Sequence, residues 1–293
     1  GPDIGVKAPF SVDDILVLSA GRPTARQFDW NPLKPPANVD YMTWLSVLVK
    51  CLERSHLGGL GVGDFIFRIF QKRMDQMKDT GICPNFVDGL HELSQIREGG
   101  RAYLWQQSTK RIFRDLTAGP SAAVFNSRKP IVLEELFTMP VIIEVDSLSE
   151  YNRVLLKELV VRYIHMHRMN SPKSHGIAHV LFLEELHTMP GVSKKEENEG
   201  KSSLGNVYRE IREYQEGIVS LDQHVSLLGT QITGNAHCQI YLGMTHTADI
   251  KAAAQGLYLS EKEQEYLNRI KVGEAVVKIK NRVNPCLVRI EHL

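Results

Sequence analysis

The sequence predicts an α/β protein with a mostly parallel sheet flanked by helices and an inserted helical subdomain. Three observations point there. Short apolar runs at 140–146 (PVIIEVD), 178–183 (AHVLFL), 218–221 and 238–242 alternate with helical patterns, as strands buried on both faces of a parallel sheet do. Residues 41–52, 65–78, 87–97 and 104–117 instead repeat apolar positions at helical spacing with no strand between them. The 293 residues are 43% apolar and 24% charged, an ordinary globular balance with enough chain for a sizeable core.

Taken in order, 14–19 reads as a strand, and the proline-rich 31–36 as a rigid, exposed connection. The glycine-rich patch 58–63 lacks a Lys-Ser/Thr continuation and reads as a loop between helices. A long amphipathic helix is expected over 150–169. Residues 190–205 are polar, charged and Gly/Ser-containing, which suggests a mobile loop. Helices follow at 206–216, 248–255 and 260–269, and the chain closes with a two-stranded ribbon over 274–280 and 286–290. Four blocks result: 1–38 as the start of the core, 39–125 as the helical subdomain, 126–260 as the core and 261–293 as a helix and ribbon tail.

Composition excludes several classes. The formal net charge of +1 gives no global basic field, although a local basic ring would not show in it. Cys51, Cys83, Cys238 and Cys286 have no C-x-x-C spacing and read as reduced thiols of a cytoplasmic protein. His165 and His167 have no partners in a zinc pattern. No stretch of about 18 apolar residues suggests a membrane span.

The chemistry concentrates in VLFLEELH, residues 180–187. A buried strand ends in Glu184 and Glu185 at its C-terminal tip, where open α/β sheets bind ligands. This is the form of a Walker B motif: the first carboxylate would hold Mg2+, usually through water, and the second would orient the attacking water. A strand ending in a charged turn would look the same, so the neighbours matter. The next strand ends at Asp222-Gln223-His224. A glutamine amide there can donate to a phosphate oxygen and accept from water, as a γ-phosphate sensor must. Between the strands, Arg209 and Arg212 lie in an R-E-I-R stretch suited to phosphate contact, or to a solvated helix face.

The ordered set FDWNPLKPP, MPVIIEVDSLSEYNRVLLKELVVRYI, HVLFLEELH, YREIREYQEGIVSLDQHVSLL and GEAVVKIKNR resembles the HerA family of ATPases, related to FtsK and VirB4-type motors. The resemblance implies a RecA-like (ASCE) core, ATP and Mg2+ as cofactors, and a ring, six-membered by family expectation, with double-stranded DNA through its pore. It also implies a nuclease or antiphage-defence effector as partner. By the same resemblance Glu184 is the magnesium-side carboxylate, Glu185 the catalytic one and Gln223 the sensor. Arg212 is the first candidate, and Arg209 the second, for an arginine donated across the subunit interface.

One part of the pattern is missing. No phosphate loop of the form G-x-x-x-x-G-K-[ST] precedes Glu184. Gly200-Lys201-Ser202 follows it, with Lys195 where the first glycine should stand. Truncation, a split ATPase and a degenerate member all fit; truncation is preferred, so this chain alone is expected to be inactive. Two rivals stand beside the motor: a non-catalytic ring scaffold that assembles an effector, and a metal hydrolase built on the carboxylates and His187.

Overall fold

The computed structural model describes residues 14–290 except 24, 60, 174, 175 and 200–202, with backbone alone at 75–80 and 203. The Gly200-Lys201-Ser202 segment therefore lies outside the described residues. The chain divides into two compact units, Gly1–Pro172 and Lys173–Leu293.

In the first unit, β1 (Leu16–Ser19) pairs in parallel with β2 (Val141–Glu144). Parallel pairing demands a long crossover, and here the crossover carries the helical block: α1 (Tyr41–Ser55), α2 (Val62–Thr80), α3 (Phe86–Gln95), α4 (Gly100–Leu116), α5 (Gly119–Phe125) and α6 (Leu133–Leu136). The glycine-rich patch leads into α2, as expected of an interhelical connection. Asp40 caps α1 by accepting the Thr43 N–H, and Asn85 and Asp88 form a capping box on α3. Helix α7 (Glu150–Met169) spans the predicted residues and is capped by Ser149.

Aromatic side chains fill this unit. Phe70, Phe86 and Phe113 pack with ring centroids 5.6–5.8 Å apart. Gly89 on α3 leaves the room: a Cβ there would stand 2.7 Å from the Phe70 ring. Trp30 and Trp44 meet Tyr163 edge-on at 5.7 and 5.5 Å.

The proline-rich segment corrects an expectation. Asn31, Pro32, Leu33 and Pro36 are buried, not exposed. The Asn31 amide donates to the Pro84 carbonyl at 2.9 Å and its Oδ1 accepts the Leu33 N–H. The Trp44 indole donates to the Pro32 carbonyl at 2.7 Å. Proline's missing N–H costs nothing where only its carbonyl is used, so the segment anchors the helical block.

In the second unit, β3 (His179–Glu184) pairs in parallel with β4 (Glu216–Leu221), His179 level with Glu216 and Glu184 with Leu221. Burial on both faces was expected of β3, yet the strand alternates. Val180 and Phe182 are exposed on the face they share with Val219 and Leu221, whereas Leu183 is buried.

The segment expected as a mobile loop contains α8 (Lys194–Asn198). A Ser193–Glu196 capping box starts this helix, and Glu197 accepts hydrogen bonds from Thr230 and Gln231. Next come α9 (Ser203–Glu210), a 3-10 turn over Ile211–Tyr214 in place of the last turn of the predicted helix, and α10 (Thr230–Thr233).

A second correction concerns β5 (Cys238–Tyr241). It was expected among the parallel strands but pairs antiparallel with β6 (Glu274–Ile279), which pairs antiparallel with β7 (Cys286–Arg289). The predicted terminal ribbon is thus the outer part of a three-stranded sheet. Tyr241 and Val276 pack with Ala253, Ala254, Leu257 and Leu267 from α11 (Thr247–Leu257) and the turn after α12 (Glu261–Gln264).

Candidate functional site: the tips of the β3–β4 pair

Parallel pairing brings the C-terminal ends of β3 and β4 to one edge. Glu184 is the last residue of β3, and Glu185 follows in the left-handed region at φ +52°, ψ +49°. A non-glycine residue held there costs on the order of 1 kcal/mol, and such strain gathers at functional sites. Two hydrogen bonds hold the turn: the Thr188 N–H and hydroxyl both donate to the Glu185 carbonyl, at 3.1 and 2.8 Å. Both glutamates are exposed. Glu184 and Glu185 thus occupy the predicted strand tip, and Gln223 emerges exposed from the neighbouring tip.

Aspartates and histidines knit the loops behind these groups. The side chain of Asp222 accepts the main-chain N–H of His187 at 2.7 Å and of His224 at 2.8 Å, and His187 Nδ1 lies 3.0 Å from either oxygen. The His187 and His224 rings meet edge-on at 5.4 Å, and His224 meets His246 at 6.5 Å. Asp249, in the first turn of α11, accepts the Ser226 N–H at 2.8 Å and lies 3.4 Å from His224 Nδ1 and 3.2 Å from His246 Nδ1. Burial alone would raise the Asp249 pKa; the Ser226 hydrogen bonds and His224 outweigh it and hold the carboxyl below its ordinary value. Among the described residues, no three His, Cys, Asp or Glu side chains converge as a metal cage.

The two arginines lie elsewhere. Arg212 sits exposed in the 3-10 turn that precedes β4. A six-residue strand is about 20 Å long, so this residue stands at the opposite end of β4 from Gln223. Arg212 therefore does not join the glutamates of its own chain. Arg209 lies in the last turn of α9, exposed and paired with Glu210 at 3.4 Å.

In the sequence Asp222 and His224 were read only as the neighbours of Gln223, and Asp249 and His246 were not singled out. A trace existed for the first: it sits beside Gln223, level with the residues that follow Glu184. The Asp249 contacts to His224 and Ser226 span more than 20 residues and leave no local pattern, although His246 stands three residues before it.

No protein-family model matches the chain, and no curated protein matches it. Solved structures do. The unbound bacterial conjugative coupling protein TrwB is 11% identical, over 96% of this chain and 75% of that one, with TM-score 0.65. The plasmid coupling protein TrwB in complex with ADP and Mg2+ is 10% identical, over 95% and 74%, with TM-score 0.66. VirB4 of Thermoanaerobacter pseudethanolicus is 13% identical, over 95% and 77%, with TM-score 0.67. Identities this low speak for architecture alone, and the chain shares with these proteins a RecA-like α/β fold that carries an inserted helical subdomain.

Proposed function

We propose that this chain is the carboxylate-bearing part of an ATP-driven DNA translocase of the HerA type, working as a ring with a nuclease or defence effector. One observation carries the proposal: Glu184 and Glu185 leave β3 beside Gln223 at the tip of β4. They do so on a fold shared with a coupling protein solved with ADP and Mg2+.

The residues suit the cation. Mg2+ is commonly held by one or two carboxylates together with water and phosphate oxygens, and exposed Glu184 offers such an oxygen. When bound, Mg2+ and ATP supply charge neutralisation and the transferable phosphoryl group. Glu185, set apart by its left-handed backbone, orients the attacking water and draws on its proton. Gln223 donates to a phosphate oxygen and accepts from that water. Arg212, remote from its own chain's glutamates, serves a neighbour's site, with Arg209 the alternative. The phosphate loop comes from outside these 293 residues, since none of the required form precedes Glu184. The four blocks 1–38, 39–125, 126–260 and 261–293 and a cytoplasmic location belong to the same proposal.

Subunit mixing tests the arrangement. Rings mixed from Arg212→Ala and Glu185→Gln subunits should recover partial ATP turnover at interfaces that pair an intact arginine with an intact carboxylate. No recovery at any ratio would remove Arg212 from the site. The missing phosphate loop favours a second reading, a non-catalytic ring scaffold, which predicts a ring without DNA-stimulated turnover.

A further inference from the structure

Asp222 stands one residue beyond β4, its side chain 5% exposed. Its carboxylate gathers donors from two loops. Oδ2 accepts the His187 main-chain N–H at 2.7 Å, and Oδ1 accepts the His224 main-chain N–H at 2.8 Å. The His187 imidazole Nδ1 approaches both oxygens at 3.0 Å. Each oxygen of the carboxylate thus accepts one main-chain N–H. Asparagine would turn its NH2 toward one N–H donor, and serine would reach one at most.

The partners are placed with regard to the candidate chemistry. His187 lies two residues after Glu185, in the turn whose Thr188 bonds keep Glu185 left-handed. His224 lies directly after Gln223. The bond from the His224 N–H to Asp222 closes an Asx-turn with Gln223 at its apex. One nearly buried carboxylate therefore fixes both turns from which Glu185 and Gln223 project.

We propose that Asp222 is a positioning residue: it clamps the tips of β3 and β4 together and so keeps Glu185 and Gln223 at one spacing. What that spacing serves rests on the function proposed above; the clamp itself does not. Asp222 spends its oxygens inside the protein and acts only through the two loops.

Residue-resolved amide hydrogen exchange on the full chain tests this, comparing the unaltered protein with Asp222→Asn and Asp222→Ala. In Asp222→Ala the His187 and His224 amides should exchange roughly tenfold faster or more, the loss expected for hydrogen bonds to a charged group. In Asp222→Asn one of the two should stay protected. The amides of the β3–β4 ladder should be unchanged in both. Unchanged protection at His187 and His224 in Asp222→Ala, or equal acceleration along the whole ladder, would overturn the clamp. Should Asp222→Ala fail to fold, Asp222→Asn decides alone, and retention of both amides there would overturn it too.

Where the unaltered protein turns over ATP, Asp222→Asn should lower kcat with little change in KM, as lost alignment in the transition state does. Lost protection with kcat intact would make the clamp structural only and overturn its positioning role. The expected exchange pattern, with no turnover by the unaltered protein even when a phosphate loop is supplied to it, would support the clamp and count against the ATPase reading.

Discussion

Phe113 and Phe182 both sit in regular elements, yet their surroundings are opposite. Phe113 is fully buried on α4 among Phe70 and Phe86 in the first unit. Phe182 is 64% exposed on β3 in the second. The contrast runs through both units. The first closes its aromatic core around buried Trp30 and Trp44, and it buries even its proline-rich segment. The second leaves one face of its parallel pair uncovered at Val180 and Phe182, as the first does at Val17 and Ile142, but it alone carries the candidate carboxylates, at the end of its pair. The aromatic core and the candidate carboxylates are thus separated along the chain.

Substitutions can break or sharpen that contrast, and the largest effect is expected in the core. Phe113→Ala should destabilise the protein by about 3–5 kcal/mol, because it opens a cavity among rings that cannot fully collapse; denaturant unfolding reads this directly. Next is Asp249→Asn. The folded Asp249 pKa is depressed, so its contribution is complete above the ordinary value of 3.8 and is lost as pH falls through the lower folded value. Thermal unfolding between neutral pH and pH about 3 should therefore show a shallower acid limb in Asp249→Asn, with a cost of about 1–2 kcal/mol at neutral pH. Glu185→Gly reverses the sign. Relief of the left-handed strain should raise stability by about 1 kcal/mol in denaturant unfolding, as expected where function holds a strained conformation. Phe182→Thr should be smallest, within about 0.5 kcal/mol, because the side chain is already in water; a loss near that of Phe113→Ala would mean that the face is covered.

The same contrast explains what was legible. Amphipathic periodicity marked α1 to α4 and α7 because each lays an apolar stripe on one core. The strand tips were legible because Glu184, Glu185 and Gln223 end apolar runs. The burial of Asn31 and Pro32 was hidden, since it depends on Pro84 and Trp44, dozens of residues away or on another element. The short helix α8 had a visible sign, Ser193 three residues before Glu196, but its charge density masked it. The partner of β5 could not be read, because an apolar run fits parallel and antiparallel neighbours alike. Arg212 was chosen from its stretch alone, and only the direction of β4 shows that it stands at the far end from Gln223.

The most direct test is magnesium-dependent ATP hydrolysis, with and without duplex DNA, comparing the unaltered sequence with Glu185→Gln. It should be run on this chain alone and on the chain together with the segment or subunit that supplies a phosphate loop. The account predicts no turnover by the chain alone. It predicts DNA-stimulated turnover by the completed protein, reduced about a hundredfold or more by Glu185→Gln, as loss of the water-orienting group requires. Turnover by the chain alone that Glu185→Gln removes would place a phosphate site within these 293 residues and contradict the division of the site. Turnover by the completed protein that Glu185→Gln leaves intact would contradict the assignment of chemistry to the tip of β3.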